Sequence, residues 1–149
     1  MMYAITVEPG YAEAIAKGQK QIELRTRIPR GLKMGDIIVV CVKGAGGRVA
    51  CWFEVGDVLC LLPATMWYRY GSALYIDWFD YWDYVGEREH VYGIVVRCVF
   101  TTGKPLNIRQ FGLERAPQWF SVAPVFPSAY LNEPIKACGG KEVRNAATI

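Results

Sequence analysis

Three stretches of apolar, largely β-branched residues constrain this chain more than any other feature: residues 37–42, 49–59 and 91–100. Valine and isoleucine lose side-chain freedom in a helix but pack well on a pleated sheet, so runs of this kind read as strands. Gly44, Gly46 and Gly47 separate the first two runs, and two strands joined by a short glycine-rich loop form a hairpin. Gly56 inside the second run marks a candidate bulge, and Gly93 inside the third a bend or a close backbone approach. The third run is expected to complete a barrel.

The opening of the chain switches period twice. Residues 2–7 read as a short strand, after which Pro9 fixes φ where a helix begins. Tyr11, Ala14 and Ile15 recur at helical spacing, and Gly18 can take the left-handed conformation that stops a helix. From Lys20 the period becomes two: Ile22 and Leu24 alternate with Gln21, Glu23 and Arg25, which predicts a strand with one core face and one polar face.

Residues 67–84 are unusually aromatic, and core packing is the expectation for most of those rings. Trp78, Tyr81, Trp82 and Val85 fall on one helical face and Asp77, Asp80 and Asp83 on another. Three carboxylates at this spacing suit a cation, but a solvated helix face is the commoner outcome. Beyond residue 103, Pro105, Pro117, Pro124, Pro127 and Pro134 interrupt regular structure. The division expected is therefore a domain over 1–103, a loop-rich extension packed on it over 104–138, and a mobile tail over 139–149.

A length of 149 residues, 52% of them hydrophobic and 21% charged, suits one packed domain. No stretch reaches the roughly 18–20 apolar residues that span a bilayer, and the first residues lack the order of a secretory signal, so a cytoplasmic protein with no membrane partner is expected. Cys41, Cys51, Cys60, Cys98 and Cys138 stand singly in apolar surroundings, without metal-binding or redox spacing, and are read as reduced core residues. No cofactor or metal is expected. A net charge of +3 is too small for a general footprint on duplex nucleic acid. Yet Lys17, Lys20, Arg25, Arg27, Arg30 and Lys33 crowd one segment while acids gather over 77–89, which favours a local anionic ligand in the first third of the chain over a merely solvated rim.

The densest chemical signal is Thr6-Val7-Glu8-Pro9-Gly10-Tyr11, then Gly18-Gln19-Lys20-Gln21-Ile22-Glu23-Leu24-Arg25, with Gly35-Asp36, Glu54-Val55 and Tyr92-Gly93 placed at strand boundaries further on. This resembles the opening signature of the ASCH family, within the PUA-like group. The resemblance covers roughly residues 2–101 and implies an α+β fold: a small PUA-like β-barrel of about five to six mostly antiparallel strands with two or three helices. It also implies a cleft beside the first helix that takes RNA or a modified nucleotide. One branch of the family is similar to small amidohydrolases acting on N4-acetylcytidine, in which the lysine of G-x-K works with a threonine three positions on. Lys20 matches that lysine, but Glu23 stands where the threonine would be.

Residue chemistry supports the same segment. Arg25 offers a planar fork for a phosphate or base edge, and Glu23 can accept from an exocyclic amine; an ordinary rim ion pair is the plainer alternative. Candidate ligand-binding residues are Lys20, Glu23, Arg25 and Arg27, with Trp67, Tyr92 and Trp119 as stacking rings near turns and strand ends; Lys20 and Glu23 are the catalytic pair if there is turnover. Strict alternation puts Lys20 in phase with Ile22 and Leu24, away from Glu23 and Arg25, so the three meet only if the chain bends after Gly18. His90, the one histidine, lacks a nucleophile motif, and Gly44–Gly47 lack the G-K-[ST] of a phosphate loop. Three functions follow: an RNA- or nucleotide-binding module, a small hydrolase on acylated nucleosides or a nuclease, and a protein-interaction module in transcription or translation regulation, as the family's coactivator association implies.

Overall fold

The computed structural model describes residues 1–127 and the backbone of 136–138. In chain order the elements are β1 (Met2–Val7), α1 (Pro9–Ala16), β2 (Ile22–Arg25), β3 (Ile37–Val42), β4 (Arg48–Leu61), α2 (Pro63–Leu74), α3 (Trp78–Val85), β5 (Val91–Thr101), β6 (Leu106–Asn107), a 3-10 turn (Ile108–Phe111), β7 (Ser121–Val122) and β8 (Lys136–Cys138). They form an α+β fold around one mixed sheet in the order β2-β5-β4-β3-β1-β7, with β6 added to β4 and β8 to β5. Only the β1–β3 pairing is parallel among these strands.

Why residues 37–42 are apolar without interruption is now clear: both faces of β3 are covered. Ile38, Val40 and Val42 enter a core with Ile5, Ile15, Phe53, Ile94 and Val96 beneath α1. Val39 and Cys41 enter a second core with Trp52, Leu106, Ile108 and Phe111, so the proline-broken segment after residue 103 covers the back of the sheet. A third cluster lies under α2 and α3, where Ile22 and Leu24 meet Met66, Leu74, Tyr81 and Val85. The bulge expected at Gly56 is present, as the β4–β5 register shifts between Val55 and Asp57.

Several expectations require correction. The sheet is not closed into a barrel: its pairing path ends at β2 on one side and β7 on the other. The Thr6 carbonyl of β1, which a closing strand would occupy, accepts instead from the Arg25 guanidinium of β2 at 3.1 Å. Nor does β5 complete a barrel; it lies inside the sheet, between β2 and β4. Strand β2 has no solvated face, because Ile22, Glu23 and Leu24 are all buried.

Helix α2 was not expected, and its sequence shows why: Tyr68, Tyr70 and Gly71 obscure the apolar period, leaving Pro63 at the first turn as the main signal. On α3 the expected apolar face is partial. Tyr81 and Val85 are buried and Trp82 is half-buried, but Trp78 is 53% exposed, and Tyr68, Tyr75, Phe79 and Tyr84 are exposed too. Of the cysteines, Cys41 and Cys51 are buried, Cys98 is intermediate and Cys60 is exposed, since it points outward near the end of β4. Burial pushes the Cys41 thiol up to about 12, which keeps it protonated. Among the described residues no helix is long and apolar enough to cross a membrane. Pro134, the tail over 139–149 and the Cys138 side chain lie outside the described side chains.

Gly93 fulfils the close-approach reading. A Cβ there would sit 2.9 Å from Ile22 Cγ2 and 3.0 Å from Met66 Cε, so α2 and β2 both pack against bare backbone. Gly93→Ala is predicted to lower stability by about 1–3 kcal/mol, the usual cost of overpacking a filled core. Urea unfolding checks this; an unchanged midpoint would contradict the tight packing of α2 and β2 on β5.

Candidate functional site

Lys20 reaches its position through a sharp turn. Gly18 takes φ +77° at the end of α1, and the amides of Gln19 and Lys20 both donate to the Ala14 carbonyl, at 2.8 and 3.1 Å. Gln21 is then held from two sides: its amide donates to Ala73 O at the end of α2, and its carbonyl accepts from Val96 N, each at 2.9 Å. Lys20 therefore precedes the pleat of β2, which resolves the phase conflict, and it lines the same cleft as Glu23 and Arg25.

Its ammonium donates to Leu74 O at the C-terminus of α2 and lies 4.9 Å from the centre of the Tyr11 ring. A helix C-terminus and a ring face both favour a cation. Burial acts the other way and pulls the Lys20 pKa down; Glu23 partly offsets this, and Arg25 adds to the lowering.

Glu23 and Arg25 stand opposite Ile94 and Tyr92 of β5 and line the cleft. Arg25 Nε lies 3.4 Å from Glu23 Oε1, and its terminal nitrogen spans the seam to Thr6 O. Glu23 is 6% exposed and Lys20 3%, burial that charged side chains tolerate only with partners. Yet Glu23 Oε2 and Arg25 Nε have no hydrogen-bond partner among the described residues.

The seam between β1 and β2 is thus an open cleft of about 280 Å³, lined by Thr6, Tyr11, Lys20, Glu23, Arg25 and Tyr84, with Val7, Leu24 and Ile76 as apolar wall. Burial, with Asp80, Asp77, Glu23 and Glu8 adding charge, raises the Tyr11 pKa, so its phenol stays a hydrogen-bond donor. Tyr84, Ile76, Tyr11 and Thr6 were not singled out from sequence. Thr6 and Tyr11 sit inside the strand–proline–helix motif, which was the available signal; Ile76 arrives through the α2–α3 connection and Tyr84 on α3, and neither carried a mark of the cleft.

The remaining candidates separate. Arg27 and Trp119 are brought together at 5.7 Å beside the cleft, and Trp119 touches Phe120, whose ring lies 5.6 Å from the Arg25 guanidinium. Tyr92 is Arg25's cross-strand neighbour but does not line the cleft. Trp67 does not line the cleft; half-buried, it packs on Tyr81 at 5.0 Å against the cluster beneath the helices. Asp77 caps α3, its Oδ1 accepting from Asp80 N at 2.8 Å, and no group of three or more metal-binding side chains occurs among the described residues. The basic run disperses: Lys17 pairs with Glu13 on α1, and Lys20 is buried.

Because the folded state lowers the Lys20 pKa below its ordinary 10.5, the unfolded chain binds more protons between those two values, and this group's contribution to stability rises with pH there. The stability difference between wild type and Lys20→Met, followed by urea unfolding, is predicted to move in the wild type's favour as pH is raised towards 10.5. A flat difference would contradict the burial of the ammonium.

The ASCH domain profile matches residues 5–100. The fold is similar to the crystal structure of ASCH from Zymomonas mobilis, at 22% identity and a TM-score of 0.70 over 80% of this chain and 85% of that one. A tyrosine-to-phenylalanine mutant of that protein aligns at 23% identity and a TM-score of 0.68, over 80% and 88% of the two chains. Its serine-to-alanine mutant aligns at 22% and 0.70, over 80% and 86%. No curated protein matches the sequence. Since the matched span holds the second half of β1 and all of α1 and β2, with the turn that delivers Lys20 between them, this chain belongs to the ASCH domain family.

Proposed function

We propose that the seam cleft binds a nucleobase, free or within RNA, plain or modified. The observation that carries this reading is the unpartnered, buried Glu23 Oε2, facing a cleft that also holds Lys20 and Arg25. A carboxylate acceptor beside two cationic donors matches the edge of a base, which presents an exocyclic amine next to carbonyl or ring-nitrogen acceptors. Tyr11 and Tyr84 supply rings, and the apolar wall excludes water from those contacts. The ASCH fold, PUA-like in kind, is consistent with such a ligand, and the unpaired thiols among the described residues fit a cytoplasmic setting.

The test is calorimetric titration with the four ribonucleoside monophosphates and short single-stranded RNAs. Arg25→Ala and Glu23→Gln are each predicted to weaken binding at least tenfold, the scale of one charge-assisted hydrogen bond. Arg25→Lys, which keeps the charge across the seam, controls for loss of fold. Unchanged affinity in folded Arg25→Ala would remove the cleft from the reading.

A second reading has its own observation: a lysine held in a buried site and pulled below its usual pKa is a better base or nucleophile, as deacylation of an N4-acylcytidine requires. Glu23 then relays the proton in place of the threonine. This predicts turnover of such nucleosides that disappears in Lys20→Ala; absence of turnover in the wild type would dismiss it.

A further inference from the structure

We propose that Trp119 and Arg27 form a second subsite, so that the occupant is a single-stranded oligonucleotide with one base in the seam and its neighbour on Trp119. This rests on the reading of the seam as a nucleobase cleft.

The segment carrying Trp119 lies outside the span matched to the family, yet it is fastened to the cleft itself. Thr6, which lines the seam, donates from Oγ1 to Pro117 O at 2.6 Å. Phe120 is buried against Tyr3 and beneath the Arg25 guanidinium, and it anchors its neighbour. From there a continuous series of contacts, two rings packed edge to face between two cations, leads outward: Arg25, Phe120, Trp119, Arg27, with separations of 5.6, 5.4 and 5.7 Å.

Two features of this series point to a ligand. Trp119 stays 42% exposed although Phe120 beside it is buried, so its ring is not needed to seal the core. Arg27 is exposed and makes no salt bridge among the described residues, which leaves its guanidinium available to a phosphate. An exposed indole beside a guanidinium that makes no salt bridge among the described residues, two contacts from a base-sized cleft, matches the way single strands are held: bases stack on aromatic rings and cations track the backbone. Neither group recognises base identity, so the second subsite would add affinity with little sequence preference, while the seam supplies the discrimination.

The experiment compares wild type and Trp119→Ala, by fluorescence anisotropy competition, with each ribonucleoside monophosphate and the matching homopolymeric trinucleotide, in ribo and deoxy forms. The wild type is expected to prefer the trinucleotide at least tenfold, and Trp119→Ala to bring that ratio close to one. Arg27→Ala should flatten the dependence of log affinity on log salt by about 0.7 for the trinucleotide, the value for one single-strand phosphate contact. Equal wild-type affinities for mono- and trinucleotide, or a ratio that survives Trp119→Ala, would overturn the second subsite and leave the seam reading standing. Failure of the wild type to bind any of these probes would overturn both.

Discussion

A single side chain stands where backbone pairing would otherwise close this sheet. Arg25 at the end of β2 donates to the Thr6 carbonyl at the end of β1, beyond the two residues that β7 pairs, so these two strands are joined by a guanidinium and not by a ladder of amides. A closed sheet fills its interior with side chains. Here the substitution of one charged group for a strand leaves a gap that α1 and the α2–α3 connection border, and the gap is the cleft. The same arginine carries the aromatic step to Phe120, which ties the C-terminal segment to β2.

Buried charge gathered in one place is a poor way to gain stability, because desolvation offsets most of what an ion pair contributes. Lys20, Glu23 and Arg25 are each built in by separate means: a helix C-terminus for the ammonium, the sheet interior for the carboxylate, the seam for the guanidinium. The plain alternative, an exposed rim pair, does not fit the burial of Lys20 and Glu23. Incomplete satisfaction of Glu23 and Arg25 by protein groups then favours the proposed nucleobase cleft over a structural network, since a network retained for stability alone should satisfy its own members.

Much of the scaffold could be read in advance where local rules and tertiary context agree. Residues 37–42 read as a strand on β-branched content and are one; Pro9 and Gly18 bracket α1 as a proline start and a left-handed stop should. What failed depended on long-range arrangement. Alternation cannot reveal that Glu23 on the polar face of β2 is buried, nor that β5 lies inside the sheet, and so both the half-burial of β2 and the barrel closure were misjudged. For the site, the motif around Lys20, Glu23 and Arg25 was legible, but their convergence required a turn whose geometry depends on Ala14 and Ala73 carbonyls. Trp67 misled for the opposite reason: a large ring near a turn carries no mark of whether Tyr81 will cover it.

The central claim is that the seam receives the nucleobase. Its most direct test is side-chain chemical-shift mapping of isotope-labelled protein titrated with a ribonucleoside monophosphate. The account predicts saturable shifts of the Arg25 Nε–H and Lys20 ammonium signals and of the Tyr11 and Tyr84 rings, with the exposed rings Trp78 and Phe79 of α3 unmoved. Saturable binding that shifts α3 or the 112–118 loop, while the Arg25 Nε–H and Tyr11 signals stay in place, would contradict it.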